Sequence, residues 1–336
     1  MTKQKEKIQQ INLGNDQPVT KPIRKISTAH ILIGLLTLSI LINAYLIFLR
    51  CKYVDDHSNS LVAYGLLASN IDNIAKEDRI VHSAPLKTEL VNYINQQKNI
   101  KISTYFEYLR TGTNFSINVD LYTYPASLTK VPIAIMIMSK VEKGELNLDQ
   151  QYKIDPKFKD QYSGDLYKLP DNTPITLREL IEQSLVYSDN TAKNLLNSLV
   201  TDKDITELVN NLGMDNLFNK EGNATAKEYA RVFRSLYYAS MLSQEHSEYL
   251  LDLLSKSERD KYMAADIPEN IKVSHKYGSM KPERSFSDVG IVYVPNRPFL
   301  IAVTIDGRES ENFDETAAKE VISTIVSKTY KYISTR

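Results

Sequence analysis

The chain has 336 residues, is 42% hydrophobic and carries no formal net charge. That length is enough for one or two domains with a real core, and the zero balance argues against nucleic acid as a partner, which selects a basic surface. One cysteine, Cys51, excludes an intramolecular disulfide, and the five histidines show no paired ligand spacing, so neither a metal nor another cofactor is expected.

Residues 1–28 are polar and read as a short disordered tail. Ile31–Leu49 is an uncharged apolar run of 19 residues, close to the ~20 that cross the hydrocarbon core. It is too long for the apolar part of a signal peptide, and no small-residue cleavage site follows. A transmembrane helix is therefore expected over 29–50. Lys3, Lys5, Lys7, Lys21, Arg24 and Lys25 precede the run, whereas Arg50 and Lys52 are soon followed by Asp55 and Asp56. The positive-inside rule then puts the N-terminus in the cytoplasm and the rest outside the cell membrane. Cys51, at the interface, is either a lipidation site or, the favoured reading, an unmodified thiol. Residues 51–84 form a stalk whose middle, Leu61–Ile74, has helical periodicity.

The extracytoplasmic domain spans 85–336. Leu86–Gln97 carries one apolar stripe and predicts a helix. Ile102–Leu109 and a strand starting at Phe115–Asn118 flank the turn Thr111–Asn114, which makes a hairpin. Helices follow at 127–143, 176–186, 190–200, 204–212, 225–240 and 244–256. Strands return at Lys272–Tyr277, Asp288–Val294 and Phe299–Asp306, and a last helix runs from Glu315 to Tyr332. The expected fold is α+β: a five-stranded antiparallel sheet flanked by terminal helices, with an all-helical subdomain inserted. Pro132, placed in the second turn of the helix starting at Ser127, sets that turn tight.

Three short segments carry chemistry. In Ser127-Leu128-Thr129-Lys130, three-residue spacing puts a hydroxyl and an amine on one helix face. The serine lies at the helix N-terminus and the lysine against the apolar run Val131–Met138, where desolvation favours a neutral amine able to take the serine proton. The plain alternative is an ordinary helix start, with Ser127 as cap and Lys130 in water. Ser188-Asp189-Asn190 follows about 60 residues on, and is also a good cap for a helix Thr191–Leu199. His275-Lys276-Tyr277-Gly278 comes near the end.

S-x-x-K, S-D-N and a K-x-G strand, in this order, resemble the motif set of class A β-lactamases and penicillin-binding proteins. The similarity runs from about Lys101 to Lys328. It implies a serine hydrolase acting through an acyl-enzyme on β-lactams or on D-alanyl peptides derived from peptidoglycan. Ser127 is then the nucleophile, Lys130 its base, and Ser188 the proton donor to the departing nitrogen. Asn190 holds the substrate amide, Lys276 its carboxylate, Gly278 allows close approach, and the Ser279 N–H joins that of Ser127 in an oxyanion hole. Lys276 also lowers the basicity of Lys130 by like-charge repulsion. Two departures stand out. Tyr277 replaces the usual Ser or Thr, and the usual arginine is out of register, with Arg284 a nearby substitute. The connector Met214–Ala224 lacks the E-x-x-L-N motif whose Glu activates the deacylating water. Glu221 is the only acid in its second half, either a deacylation candidate by position or a solvated loop carboxylate. Without a base there, β-lactams would be held rather than destroyed efficiently. A D,D-peptidase or esterase, a penicillin-binding sensor and a wall-binding module are the alternatives.

Overall fold

The computed structural model describes residues 28–58, 82–214, 217–258 and 262–335. The polar tail before 28 and residues 59–81 of the predicted stalk, with its periodic middle Leu61–Ile74, lie outside the described residues. Two units are distinguished, divided between Ala68 and Ser69.

In the first unit, α1 is a single helix, Thr28–Ser58. Its segment Leu32–Leu49 has a mean hydropathy of 2.4 and no buried side chains, and is long and apolar enough to cross a membrane.

In the second unit, α2 (Ala84–Gln96) leads into β1 (Lys101–Tyr108) and β2 (Thr113–Ile117). β3 (Tyr122–Thr123) precedes a one-turn 3₁₀ segment, Ala126–Thr129, which runs directly into α3 (Lys130–Glu142). β4 (Gln151–Lys153) pairs with β5 (Pro174–Thr176). Then come α4 (Leu177–Leu185), α5 (Asn190–Asn197), α6 (Asp202–Asn211), β6 (Ala224–Thr225), α7 (Ala226–Tyr237) and α8 (Gln244–Ser255). β7 (Val273–Met280), β8 (Ser285–Val292), β9 (Phe299–Asp306) and α9 (Glu315–Ser334) complete the chain.

The main sheet has the five antiparallel strands that the sequence reading expects, in the order β2-β1-β9-β8-β7. Local chemistry explains where its helices begin. Thr176 with Glu179, Thr201 with Asp204 and Thr225 with Glu228 each form a reciprocal capping box at the start of α4, α6 and α7, each cap being worth about 1 kcal/mol. α3 is buried at every position from Lys130 to Met138, as a central helix must be apolar all round.

The sheet is covered on both faces, and β8 and β9 are buried at every residue. Phe106, Phe286, Phe299 and Ile301 pack with Leu86 and Leu90 of α2 and Ile322 and Ile325 of α9. Val289, Ile291, Leu300 and Ala302 face the helical block, against Ile135, Leu180, Leu195 and Phe233. β7 is the edge strand beside β8, and it packs against the 3₁₀ turn Ala126–Thr129 and α8.

Two local expectations are revised. Ser127 does not cap α3: it lies inside the 3₁₀ turn, and Thr129 occupies the cap position without a side-chain hydrogen bond. Pro132 therefore falls in the first turn, among donors that have no intrahelical partner anyway, so its missing N–H costs no bond. The helix expected at 190–200 does begin at Asn190, with Asp189 as its cap, accepting from Ala192 N.

Candidate active site

The 3₁₀ turn presents Ser127 and the first residue of α3 presents Lys130. Lys130 Nζ lies 2.7 Å from Ser127 Oγ, 3.3 Å from Ser188 Oγ and 2.7 Å from Asn190 Oδ1. Ser188 Oγ donates to Ser127 Oγ at 3.0 Å. Two hydroxyls, an amine and an amide from two distant stretches thus form one hydrogen-bonded cluster.

The backbone on both sides is held in an uncommon conformation. Ala126, just before the serine, has φ +49° and Ser188 has φ +56°. Each such non-glycine residue costs about 1–3 kcal/mol, and such residues gather at functional sites. Ser188 is held by its neighbours. Asp189 accepts from Ala192 N at 2.8 Å and from Leu166 N at 2.9 Å, while Ser163 Oγ donates to Ser188 O at 2.8 Å. Gly164, at φ +83°, passes so close that a Cβ there would sit 2.0 Å from Asp189 Oδ2.

Lys130 is 1% exposed. Burial pushes its amine well below the usual lysine range, the Lys276 and Lys193 charges push further the same way, and Asp189 and Asp160 oppose them. Such an amine can be neutral and accept a proton.

β7 contributes the opposite wall. Period-two alternation puts Lys276 and Gly278 on one face and Tyr277 and Ser279 on the other. Lys276 is fully buried, and burial brings its pKa down to about 8, with Asp288 and Glu258 resisting. Its amine lies 4.4 Å from the Tyr277 ring centroid and 3.4 Å from Tyr277 O. Gly278 packs on the serine turn: a Cβ there would meet Pro125 O at 2.6 Å and Ala126 Cβ at 3.3 Å. Tyr277 turns to the other face and packs on Tyr262, ring centroids 5.4 Å apart.

Residues 85–333 match the model of the beta-lactamase enzyme family. The chain belongs to that family. Beta-lactamase VEB-1 of Pseudomonas aeruginosa is 22% identical over 268 residues, covering 72% of this chain and 88% of that protein. Beta-lactamase 3 of Bacillus cereus is 24% identical, covering 69% and 79% respectively. Among solved structures, a beta-lactamase from Sphaerobacter thermophilus superposes with a TM-score of 0.67 at 24% identity, over 76% of this chain and 99% of that one. PBP-A gives 0.67 at 19% identity, over 75% and 97%. A PBP-A variant solved as an acyl-enzyme complex with penicillin G gives 0.65 at 19% identity, over 74% and 97%. This is a serine hydrolase of the beta-lactamase family.

Other family positions lie apart from the cluster. Glu221 is exposed and lines a cavity of about 310 Å³ with Tyr122, Tyr124, Asn223, Glu283 and Arg308. Arg284, in the β7–β8 turn, lines a different cavity with Lys281, Phe286, residues 311–314 and the first turn of α9. The sequence reading missed Asp160, whose Oδ1 accepts from Asn190 Nδ2 at 3.1 Å. It stands in a loop between β4 and β5, 30 residues before Asn190, with no motif to mark it.

Proposed function

We propose that the protein acylates itself at Ser127 with β-lactams or D-alanyl peptides, and that it does so as a membrane-anchored enzyme facing the cell exterior. The observation that carries this reading is the approach of one desolvated amine, Lys130, to Ser127, Ser188 and Asn190. A neutral Lys130 takes the Ser127 proton as Oγ bonds to the carbonyl carbon. The Ser127 and Ser279 N–H groups hold the oxyanion, a donor pair of which each member is typically worth ~10²–10³ in rate. As the C–N bond breaks, the nitrogen takes the Ser188 proton and Ser188 takes one from the Lys130 ammonium. Lys130 ends neutral, and the acyl ester remains on Ser127. Lys276 meets the substrate carboxylate, with Gly278 allowing close approach and Asn190 holding the side-chain amide.

Hydrolysis of that ester is slow in this reading. A general base typically supplies ~10²–10⁴-fold, and the connector Met214–Ala224 carries no E-x-x-L-N motif. The acyl-enzyme complex of the PBP-A variant with penicillin G is in keeping with a trapped ester on this scaffold. For the anchor, the support is the apolar segment Leu32–Leu49 and the cations before it.

The test is a fluorescent-penicillin gel on membranes carrying the full chain. A persistent band that disappears in Ser127→Ala is the expected result. A transient band with rapid nitrocefin turnover overturns slow deacylation, and no band overturns acylation itself.

A further inference from the structure

Asn190 stands between two groups with opposite demands. Its Oδ1 lies 2.7 Å from Lys130 Nζ and its Nδ2 donates to Asp160 Oδ1 at 3.1 Å. A primary amide can be turned end for end at little steric cost, so its direction is decided by its neighbours. A carboxylate only accepts hydrogen bonds. If the amide were reversed, its oxygen would face the Asp160 carboxylate at hydrogen-bond distance, oxygen against oxygen.

That choice propagates. A neutral amine has two N–H donors and one lone pair. With the amide oxygen turned towards it, Lys130 must spend one N–H on Asn190. The second is used on Ser188 Oγ at 3.3 Å. The lone pair is left for the third neighbour, Ser127 Oγ at 2.7 Å. If the amide were reversed, Asn190 would donate to Lys130, occupy that lone pair, and leave Ser127 facing an N–H instead of a base.

Asp160 is itself held on the start of α5. Its N–H donates to Thr191 Oγ1 at 3.0 Å, Thr191 being fully buried, and the same Oδ1 accepts from Tyr162 N at 2.8 Å. The carboxylate is fixed by the same turn of helix that it orients.

We propose that Asp160 is a positioning residue, whose carboxylate fixes the Asn190 amide with its oxygen towards Lys130 and so aims the Lys130 lone pair at the Ser127 hydroxyl. The inference rests on the acylation reading above. It assigns Asp160 no contact with the reacting atoms. The charged groups acting on Lys130 are Lys276 on β7, Lys193 on α5, Asp189 at the α5 cap, and Asp160.

The experiment measures the rate of Ser127 labelling by fluorescent penicillin in the full chain, as a function of pH. Asp160→Asn should lower the plateau rate about tenfold, since a carboxamide can donate as well as accept and no longer forces one direction on the Asn190 amide. It should also move the acidic limb to lower pH, because the Asp160 anion raises the Lys130 pKa and its removal lets that pKa fall. In an Asn190→Ala background the same change should cost less than about twofold, since residues acting through one another are not additive. Asp160→Ser, which keeps an acceptor for the Tyr162 N–H, should behave likewise if the first variant melts early. Unchanged rate and limb, or an equal loss with and without Asn190, overturns the inference. So does a loss of rate that tracks melting temperature while the limb stays put. An unlabelled wild-type chain sinks the acylation reading and this inference with it; a labelled wild type with indifferent Asp160 variants sinks the inference alone.

Discussion

Glu107 and Lys130 are both almost wholly buried, at 2% and 1% exposure, yet their surroundings differ. Glu107, on β1, accepts from Arg234 Nε at 2.9 Å and from Tyr105 Oη at 2.8 Å. Its charge is matched and its lone pairs are used. Lys130 meets only neutral oxygens at hydrogen-bond distance, two hydroxyls and an amide, and the buried Lys276 adds a repelling charge. A matched buried charge holds structure in place. An unmatched buried amine is unfavourable for folding and useful for proton transfer, because the same desolvation that costs stability lowers its pKa and frees it to accept a proton.

The sharpest way to break this comparison is Lys130→Met, which keeps the volume and removes the amine. Ser127 labelling should fall ~10²–10⁴-fold, the range a general base supplies. Melting temperature should hold or rise, since a desolvated amine gives way to an apolar chain. Labelling within tenfold of wild type would show that the amine is not the base.

Lys276→Met comes next. Loss of a charged partner for the substrate carboxylate should cost about 10–100-fold with an anionic penicillin. The pH profile separates its two roles. In the wild type, labelling should fall as pH rises through about 8, where Lys276 loses its proton. The variant should lack that limb. Its acidic limb should move to higher pH, because the cation that depresses the Lys130 pKa is gone. An acidic limb that does not move would mean the two amines are uncoupled.

Arg234→Ala should leave labelling within about twofold and lower stability instead. It strands the Glu107 carboxylate in the core. Removing one partner of a buried pair typically costs about 3–5 kcal/mol. Because Arg234 is half exposed, the low end applies, roughly 6–12 °C in Tm at ~2–4 °C per kcal/mol. Calorimetry alongside the labelling assay checks both halves.

The two regions were not equally legible. The helices expected at 176–186 and 225–240 fall close to α4 and α7, and the three long late strands are found, because those signals are local; the helix expected from 204 starts late, within the Thr201–Asp204 capping box that opens α6 at Asp202. Ser127 and Lys130 could be paired from their spacing, although the turn that joins them is 3₁₀ rather than the start of the helix. Ala126 and Ser188 could not be seen as left-handed, since neither is glycine and tertiary contacts impose the conformation. Asp160 was invisible for the same reason: its role exists only after the 160–166 loop folds over α5. Gly164 was the one local hint, a glycine required by the Asp189 carboxylate beside it. Hydropathy marks only the apolar window, and α1 runs past it to Ser58.

The smallest effect is expected at Glu221. Its carboxylate belongs to an exposed loop in which Asn219 Oδ1 accepts from the Glu221 and Asn223 backbone amides, and its cavity is lined by two other acids, Glu283 and Asp306, and by Arg308, which pairs with Asp306. A deacylating base must reach a water held against the Ser127 ester, within one hydrogen bond of it, and neither Ser127, Lys130 nor Ser188 lines that cavity. Glu221→Gln should therefore leave both the labelling rate and the lifetime of the labelled band unchanged within about twofold. A band that persists ~10²-fold longer in the variant would make Glu221 the missing base. It would also mean that the Met214–Ala224 connector closes on the ester in the acylated enzyme, and slow deacylation would then have to be abandoned as a property of this chain.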